Sequence, residues 1–123
     1  MSKILVADDE EILRMLIVDT LEDEGYDIDE AGDGAEALDM LEKGDYHLAI
    51  LDYMMPEKTG IEVVKNLSNE TKTKTKLVML TAKAQVKDKQ EAMEAGADYY
   101  MAKPFSPSDL VDMVNQAFTE GLK

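Results

Sequence analysis

The sequence predicts a doubly wound α/β fold with five parallel strands. Along 123 residues, five short apolar segments alternate with five longer segments of helical periodicity. Most of the apolar segments are nearly continuous, which is typical of strands that are buried on both faces of a parallel sheet. Because crossovers between parallel strands are right-handed, helices are expected on both faces. We expect one domain over residues 1–123, with its functional site at the carboxyl ends of the strands.

The first half of the chain supplies two strand-helix units. KILVA (3–7) predicts a buried strand, and a helix follows from Glu11 to a stop at Gly25. YDIDEA (26–31) predicts a more exposed strand, and the turn GDG leads into the helix AEALDMLEK, which Gly44 ends. The apolar stripe expected on the first helix consists of Leu13, Leu16, Ile17 and Leu21.

The middle of the chain begins with the third strand, HLAIL (47–51). Thr59 is expected to N-cap a helix that buries Val63, Val64 and Leu67. The segment SNETKTKTK (68–76) carries no apolar residue and is predicted to be a polar connector without a helix of its own.

The last two units follow the same alternation. KLVMLTA (76–82) and ADYYMA (97–102) predict the fourth and fifth strands. The fourth predicted helix (86–95) is expected to be weakly anchored, because its apolar face is limited to Val86, Ala92, Met93 and Ala95. The fifth predicted helix starts near Ser106 or Ser108, and its stripe consists of Leu110, Val111, Val114, Ala117 and Phe118.

Charge and composition exclude several classes of function. The chain has no cysteine, so disulfides and thiolate metal sites are impossible. The net charge is -14, and residues 1–52 carry all of this excess, with 17 acids against three bases. This field opposes direct binding to nucleic acid or to anionic lipid and favours cations. The first apolar run is too short for a signal sequence or a membrane span, so we expect a cytoplasmic protein without membrane insertion.

Polar residues follow four of the five predicted strands. Asp8 and Asp9 end the first strand, Asp52 the third, Thr81 the fourth and Lys103 the fifth. Asp9 could simply cap a helix, Thr81 could be a β-favouring residue, and Lys103 could lie on the surface. Asp52 is harder to explain in this way, because no helical pattern begins directly after it. Together the five residues predict a polar site at one edge of the sheet.

The chemistry of these groups indicates phosphoryl transfer. Three converging carboxylates repel one another unless a cation lies among them, and a set of oxygen ligands suits Mg²⁺. With Asp8 and Asp9 holding the metal, Asp52 could attack a phosphorus atom while Lys103 stabilises charge on the transferred oxygens. Thr81 would donate a hydrogen bond to the new phosphoryl group.

Four ordered motifs make the resemblance specific: the acid pair DD (8–9), LDYMMP (51–56), LTA (80–82) and AKPF (102–105). Over essentially its whole length the chain resembles a response-regulator receiver domain, the phosphoacceptor module of two-component signalling. The resemblance implies a flavodoxin-like (βα)5 fold with strand order 2-1-3-4-5. It also implies that Asp52 is the phosphoacceptor and that Mg²⁺ binds to Asp8, Asp9, Asp52 and the backbone carbonyl of Met54.

The same resemblance assigns a switch. Thr81 is the switch hydroxyl, Tyr100 the switch aromatic and Lys103 the phosphate-sensing lysine, joined to Pro104 by an expected cis bond. We expect the Met54 side chain to lie over the pocket and Met55 to be apolar filler beneath the loop. The family's usual loop of small residues after the proline is replaced here by Glu57–Gly60.

The implied partners are proteins. A sensor histidine kinase or a histidine phosphotransfer protein would supply the phosphoryl group, docking near the first helix. A downstream target would bind the face formed by the fourth predicted helix, the fifth strand and the fifth predicted helix. The resemblance leaves the oligomeric state open, either a monomer or a phosphorylation-dependent dimer. It also leaves open whether the protein is free-standing, as in chemotaxis or a phosphorelay, or is a receiver cut from a longer regulator. We expect no output domain within these 123 residues.

Rival functions fit the sequence less well. GDGAEA (32–37) matches a dinucleotide-binding pattern, but Asp33 and Glu36 would repel a pyrophosphate and the preceding strand is polar. A flavin carrier needs a hydroxyl-rich loop where this chain has DDEE (8–11).

A magnesium-dependent phosphatase using an aspartyl phosphate is the main alternative, although Met54 stands where its general acid is expected. We therefore predict a switch with self-catalysed phosphorylation and dephosphorylation, and not a true enzyme. A pure interaction module without phosphochemistry is the third class.

Overall fold

The computed structural model describes residues 3–82 and 86–119, but not the side chains of residues 86–88. Within these residues, five parallel strands form a single sheet. The strand order is β2-β1-β3-β4-β5, which confirms the expected 2-1-3-4-5. Each neighbouring pair is parallel, so all carboxyl ends meet at one edge. The strands are β1 (Lys3–Ala7), β2 (Asp27–Ala31), β3 (Leu48–Asp52), β4 (Lys76–Thr81) and β5 (Tyr99–Ala102).

Six helices connect or follow the strands within the described residues. They are α1 (Glu11–Asp23), α2 (Gly34–Lys43), α3 (Gly60–Asn66), α4 (Asn69–Lys74), α5 (Val86–Ala95) and α6 (Pro107–Thr119). The fourth and fifth predicted helices are therefore α5 and α6.

Helix α4 corrects the prediction that residues 68–76 form a connector without a helix. The Ser68 side chain accepts a hydrogen bond from the Thr71 backbone N–H and so caps the helix. The Glu42 carboxylate of α2 accepts hydrogen bonds from both the backbone N–H and the hydroxyl of Ser68, and from the hydroxyl of Thr71. These polar contacts fix a helix that has no apolar stripe, which is why periodicity could not predict it.

Two hydrophobic cores lie on opposite faces of the sheet. Alternate residues of β1, β3 and β4 point to each face, as the period of two requires. One core packs α2, α3 and α5 onto the sheet through Ala37, Leu41, Ile61, Val63, Val64 and Ala92. The other packs α1 and α6 through Ile17, Val18, Leu21, Leu110, Val114 and Ala117. The doubly wound architecture is thus confirmed.

The helix ends follow the sequence signals. Gly25, at φ 94°, ends α1, and the Gly25 and Tyr26 N–H groups donate back to the carbonyls of Glu22 and Leu21. Thr59 caps α3 in a capping box with Glu62. Of the two candidate serines, Ser106 caps α6, because its hydroxyl accepts from the Asp109 N–H.

The two apolar stripes differ from the prediction in detail. Leu16 was expected in the core of α1, but it is 57% exposed, while Val18 is buried in its place. In α5, Ala92 is buried and Met93 is 40% exposed, and Val86 lies outside the described side chains. The buried face of α5 is therefore even thinner than expected.

Candidate functional site

Two carboxylates lie at the carboxyl ends of adjacent central strands. Asp52 is the last residue of β3, and Asp8 directly follows β1, which pairs with β3. Asp8 is fully buried and Asp52 is 4% exposed. Burial of two like charges at such proximity is costly unless a cation accompanies them.

Lys103, the residue directly after the edge strand β5, supplies a positive charge to these carboxylates. Its Nζ atom lies 3.2 Å from Oδ1 of Asp52 and 3.3 Å from Oδ2 of Asp8. The backbone N–H of Lys103 donates to the Thr81 carbonyl at 2.7 Å, which ties the residue after β5 to the end of β4. The Lys103-Pro104 peptide bond is cis, as the resemblance implied.

Glu10, and not Asp9, is the next acid in the cluster. Carboxylate oxygens of Asp8, Glu10 and Asp52 all lie within 4.8 Å of one another. Glu10 also pairs with Lys103, at 3.3 Å between Oε1 and Nζ. The side chain of Asp9 is exposed and is not a member of this group. Glu10 belongs to the acidic run DDEE (8–11). The turn into α1 brings the Glu10 side chain to Lys103, and the run by itself does not predict this turn.

The pKa of Asp52 is raised to about 6, first by burial and second by the negative charge of Asp8. The ammonium of Lys103 and a hydrogen bond from the Met54 backbone N–H oppose this rise. For Lys103, burial lowers the pKa, but the carboxylates of Asp52 and Asp8 outweigh it, so the pKa is raised overall. The ammonium therefore stays charged at neutral pH.

Thr81 and Tyr100 lie on the neighbouring strands β4 and β5. Thr81 is the last residue of β4 and is 1% exposed, one strand away from Asp52. Tyr100 is on β5, is half-buried, and packs against the core of α2, α3 and α5. The Met55 side chain is buried as predicted, whereas that of Met54 is 60% exposed.

The loop after β3 is held by close backbone contacts. The Gly60 N–H donates to the Tyr53 carbonyl at 2.9 Å, and a Cβ on Gly60 would lie 2.5 Å from the Asp52 carbonyl oxygen. A Cβ on Gly34, the first residue of α2, would lie only 1.9 Å from the Lys58 carbonyl oxygen. Between these contacts, Glu57 adopts φ 70°, a left-handed conformation that disfavours a side chain.

The donor set fits a hard divalent cation. Asp8, Glu10 and Asp52 carry three negative charges against the one positive charge of Lys103, so the cluster has an excess of two. The available ligands are oxygen atoms, which suit Mg²⁺ better than zinc or copper. A divalent ion would balance the excess and lower the cost of ionising Asp52.

Sequence comparison now assigns the family. Residues 4–115 match the response regulator receiver domain, which covers both central carboxylates, Thr81 and Lys103. The chain belongs to this family. The receiver domain is a signalling domain of two-component response regulators, and this is the role of the chain.

Curated transcriptional regulatory proteins are similar to most of this chain. The transcriptional regulatory protein ResD of Bacillus subtilis is 44% identical over 110 residues, which are 89% of this chain and 45% of ResD. The chain thus spans about half the length of the curated relatives it matches.

Two solved response regulators share the fold over almost the whole chain. The chemotaxis response regulator CheY4 of Vibrio cholerae is 35% identical, with a TM-score of 0.90 over 95% of this chain and 98% of that one. TrrA of Thermotoga maritima, solved in complex with Mg²⁺-BeF, is 37% identical, with a TM-score of 0.84 over 95% and 99% of the two chains. Among residues 3–82 and 86–119, no helix has the length and hydropathy needed to span a membrane.

Proposed function

We propose that this receiver domain accepts a phosphoryl group on Asp52 and converts the modification into a change of partner binding. The observation that carries the proposal is the contact of Lys103 with both Asp52 and Asp8 at the carboxyl edge of the sheet. Each of these side chains comes from the end of a different strand, where ligands of open α/β sheets bind.

In the proposed reaction a carboxylate oxygen of Asp52 attacks the phosphorus of a phosphohistidine. A P–O bond forms, the P–N bond to the imidazole breaks, and the electron pair stays on the imidazole nitrogen. Lys103, which contacts Asp52, would stabilise the oxygens that gain charge, and the hydroxyl of Thr81, a buried residue on the adjacent strand β4, would bond the product.

Mg²⁺ is the proposed cofactor, and the residues proposed to hold it are Asp8, Asp9, Asp52 and the backbone carbonyl of Met54. When bound, the ion supplies positive charge that stabilises the transferring phosphoryl oxygens. The supporting observation is the excess negative charge that the buried carboxylates of Asp8 and Asp52 and the exposed carboxylate of Glu10 place around Lys103.

The switch we propose runs through Thr81 and Tyr100 to the face formed by α5, β5 and α6. A phosphoryl group adds nearly two negative charges and three acceptors, so it can draw the Thr81 hydroxyl toward Asp52. The Tyr100 ring, half-buried beside this position, then turns inward. Displacement of helix α5 costs little free energy, because Ala92 is its one buried side chain among residues 89–95.

The donor is proposed to be a sensor histidine kinase or a histidine phosphotransfer protein that docks on α1. Three large apolar side chains there are exposed: Ile12 by 72%, Met15 by 53% and Leu16 by 57%. Such a cluster beside the phosphoacceptor edge fits an apolar helix of a partner. Leu16, which the sequence pattern assigned to the core, belongs to this docking surface.

Dephosphorylation is proposed to be slow and self-catalysed. A phosphatase that works through an aspartyl phosphate needs an acid near the nucleophile, and the exposed side chain at the corresponding position is Met54. We therefore keep the phosphatase as the second candidate and propose a switch as the first.

The biological setting is proposed from the relatives and from charge. We place the domain in the cytoplasm, as a monomer or as a dimer formed on phosphorylation, with a downstream protein target on the α5-β5-α6 face. The domain is proposed to comprise residues 1–123. Its acidic surface opposes direct contact with nucleic acid, so any transcriptional output, as in ResD, would need a further domain.

Intact mass after incubation with acetyl phosphate tests the chemistry. We expect a Mg²⁺-dependent gain of one phosphoryl group in the wild type and in Asp45→Asn, a matched change of an exposed aspartate. Asp52→Asn should show no gain. A gain that Asp52→Asn retains, or no gain in any variant, would contradict the proposal.

A further inference from the structure

Glu10 has a position that the receiver chemistry described above does not use. Its Oε1 atom lies 3.3 Å from Nζ of Lys103, the group that must meet the incoming phosphoryl oxygens. Lys103 is thus surrounded by three carboxylates, those of Asp8, Glu10 and Asp52. A phosphoryl group on Asp52 must compete with at least one of them for the ammonium.

Helix capping does not account for this placement. Glu10 occupies the N-cap position of α1, but its side chain makes no capping hydrogen bond. Instead its backbone N–H donates to Oδ1 of Asp8 at 2.9 Å, and its carboxylate turns to Lys103. The next acid, Glu11, lies in the first turn of α1, is exposed, and is not a member of the cluster.

The three carboxylates around Lys103 differ in their freedom to move. The side chain of Asp8 is fully buried and that of Asp52 is 5% exposed, whereas that of Glu10 is 64% exposed. Glu10 is therefore the one that can swing away from Lys103 into solvent when a phosphoryl group arrives. Until it does, its charge repels a dianion that approaches the same ammonium.

We infer that Glu10 is a positioning residue that occupies Lys103 in the unphosphorylated domain and disfavours small dianionic phosphodonors. The inference rests on the proposed function, since it requires Asp52 to be the acceptor. Its consequence is specificity: a free acyl phosphate must displace Glu10 by its own binding energy alone, whereas a docked protein donor brings additional contacts on α1.

The test compares Glu10→Gln with Glu11→Gln as the matched control. Initial rates of phosphorylation are measured with acetyl phosphate and with phosphoramidate, which carries one negative charge less because its nitrogen is protonated. We expect Glu10→Gln to raise the acetyl phosphate rate about two- to tenfold, the range expected for removing a partly exposed charge beside a dianion. The increase should be smaller with phosphoramidate and should shrink at high salt.

Two readouts without phosphoryl transfer separate this role from others. In the Mg²⁺-free protein, the ζ-ammonium resonance of Lys103 should shift in Glu10→Gln and not in Glu11→Gln. The dissociation constant for Mg²⁺, measured by calorimetry, should change by less than about threefold; a loss of ten-fold or more would make Glu10 a metal ligand and overturn the inference.

The failure of the inference and that of the proposed function are distinguishable. Equal acetyl phosphate rates in wild type and Glu10→Gln, with both phosphorylated on Asp52, overturn the inference alone. No phosphorylation of any variant that retains Asp52 overturns the proposed function, and the inference with it.

Discussion

Lys103 Nζ lies 3.2 Å from Oδ1 of Asp52, although the two residues stand at the ends of strands β5 and β3, which do not pair. Strand β4 lies between them and holds both neighbours in register. The contact therefore depends on the order of the whole sheet and not on any local motif. It also makes Lys103 the principal cation near a carboxylate whose pKa is raised to about 6.

The raised pKa of Asp52 should respond to its neighbour Asp8. Burial is the larger cause and Asp8 the second, so Asp8→Asn should lower the pKa of Asp52 but leave it above the ordinary value of 3.8. Carboxyl carbon NMR during a pH titration of Mg²⁺-free protein measures this. Asp9→Asn, a change of an exposed residue outside the cluster, is the control. A pKa of Asp52 that is unmoved by Asp8→Asn would contradict the assignment of this cause.

Replacement of Asp52 should stabilise the metal-free domain at neutral pH. Because its pKa is raised in the folded state, the folded protein binds this proton more tightly than the unfolded chain does. Its contribution to stability therefore falls as pH rises from about 4 to about 6 and stays low above that range. We expect Asp52→Asn to gain about 1 to 2 kcal/mol at pH 7.5, because the substitution removes a carboxylate whose ionisation the folded state opposes.

Urea unfolding of wild type and Asp52→Asn without Mg²⁺, at pH 4 and at pH 7.5, checks the sign. The advantage of Asp52→Asn should be clear at pH 7.5 and mostly absent at pH 4. An advantage that is equal at the two pH values would mean that the buried charge is not its source.

Removal of the Lys103 ammonium should strengthen Mg²⁺ binding. Lys103→Met leaves the carboxylates of Asp8 and Asp52 without their shared cation, so a divalent ion meets less repulsion. We expect affinity to rise about two- to tenfold in calorimetry, while Lys65→Met, a change of an exposed lysine on α3, has little effect. Weaker binding in Lys103→Met would show that the lysine organises the ligands.

The close approach of α2 to the loop after β3 should not tolerate a methyl group at Gly34. A Cβ there would lie 1.9 Å from the Lys58 carbonyl oxygen. We expect Gly34→Ala to lower the free energy of unfolding by about 1 to 3 kcal/mol or more, even though alanine favours helices. Gly32→Ala is the matched control, because its Cβ would meet its nearest atom at 3.6 Å. Equal stabilities in chemical denaturation would refute the clash.

The left-handed backbone at Glu57 should make glycine favourable there. The conformation costs a residue with a side chain about 1 to 2 kcal/mol, and the greater freedom of glycine in the unfolded chain offsets part of the gain. We expect Glu57→Gly to stabilise the domain by about 0.5 to 1 kcal/mol in thermal unfolding. Lys58→Gly, at a neighbouring position without positive φ, should not stabilise it.

Much of the fold was predictable because its signals are local. Buried strands such as KILVA, the glycine at the end of α1 and the cap at Thr59 each depend on neighbours in sequence. Helix α4 was missed because its stability comes from Glu42, which lies on α2 and carries no signal in residues 68–76. Leu16 fits the helical period but is 57% exposed, since tertiary packing decides which side of α1 faces the core.

The candidate site was predictable as a set of strand ends, but not in its detail. Asp8, Asp52, Thr81 and Lys103 meet at one edge because parallel strands share a direction. Whether Asp9 or Glu10 turns toward Lys103 depends on the backbone dihedral angles at the start of α1, where Glu10 adopts φ -82° and ψ 101°. Adjacent acids in a sequence carry no such information.

The order in which the site is completed follows from the topology. During synthesis, β1 and β3, which carry Asp8 and Asp52 at their carboxyl ends, can pair well before Lys103, the residue after β5, has left the ribosome. A nascent domain at that stage would have to bury two carboxylates without their ammonium, which disfavours early closure of this edge. Closure of this edge of the sheet should therefore be held back during synthesis until β5 has added to β4 and brought Lys103 to the two carboxylates.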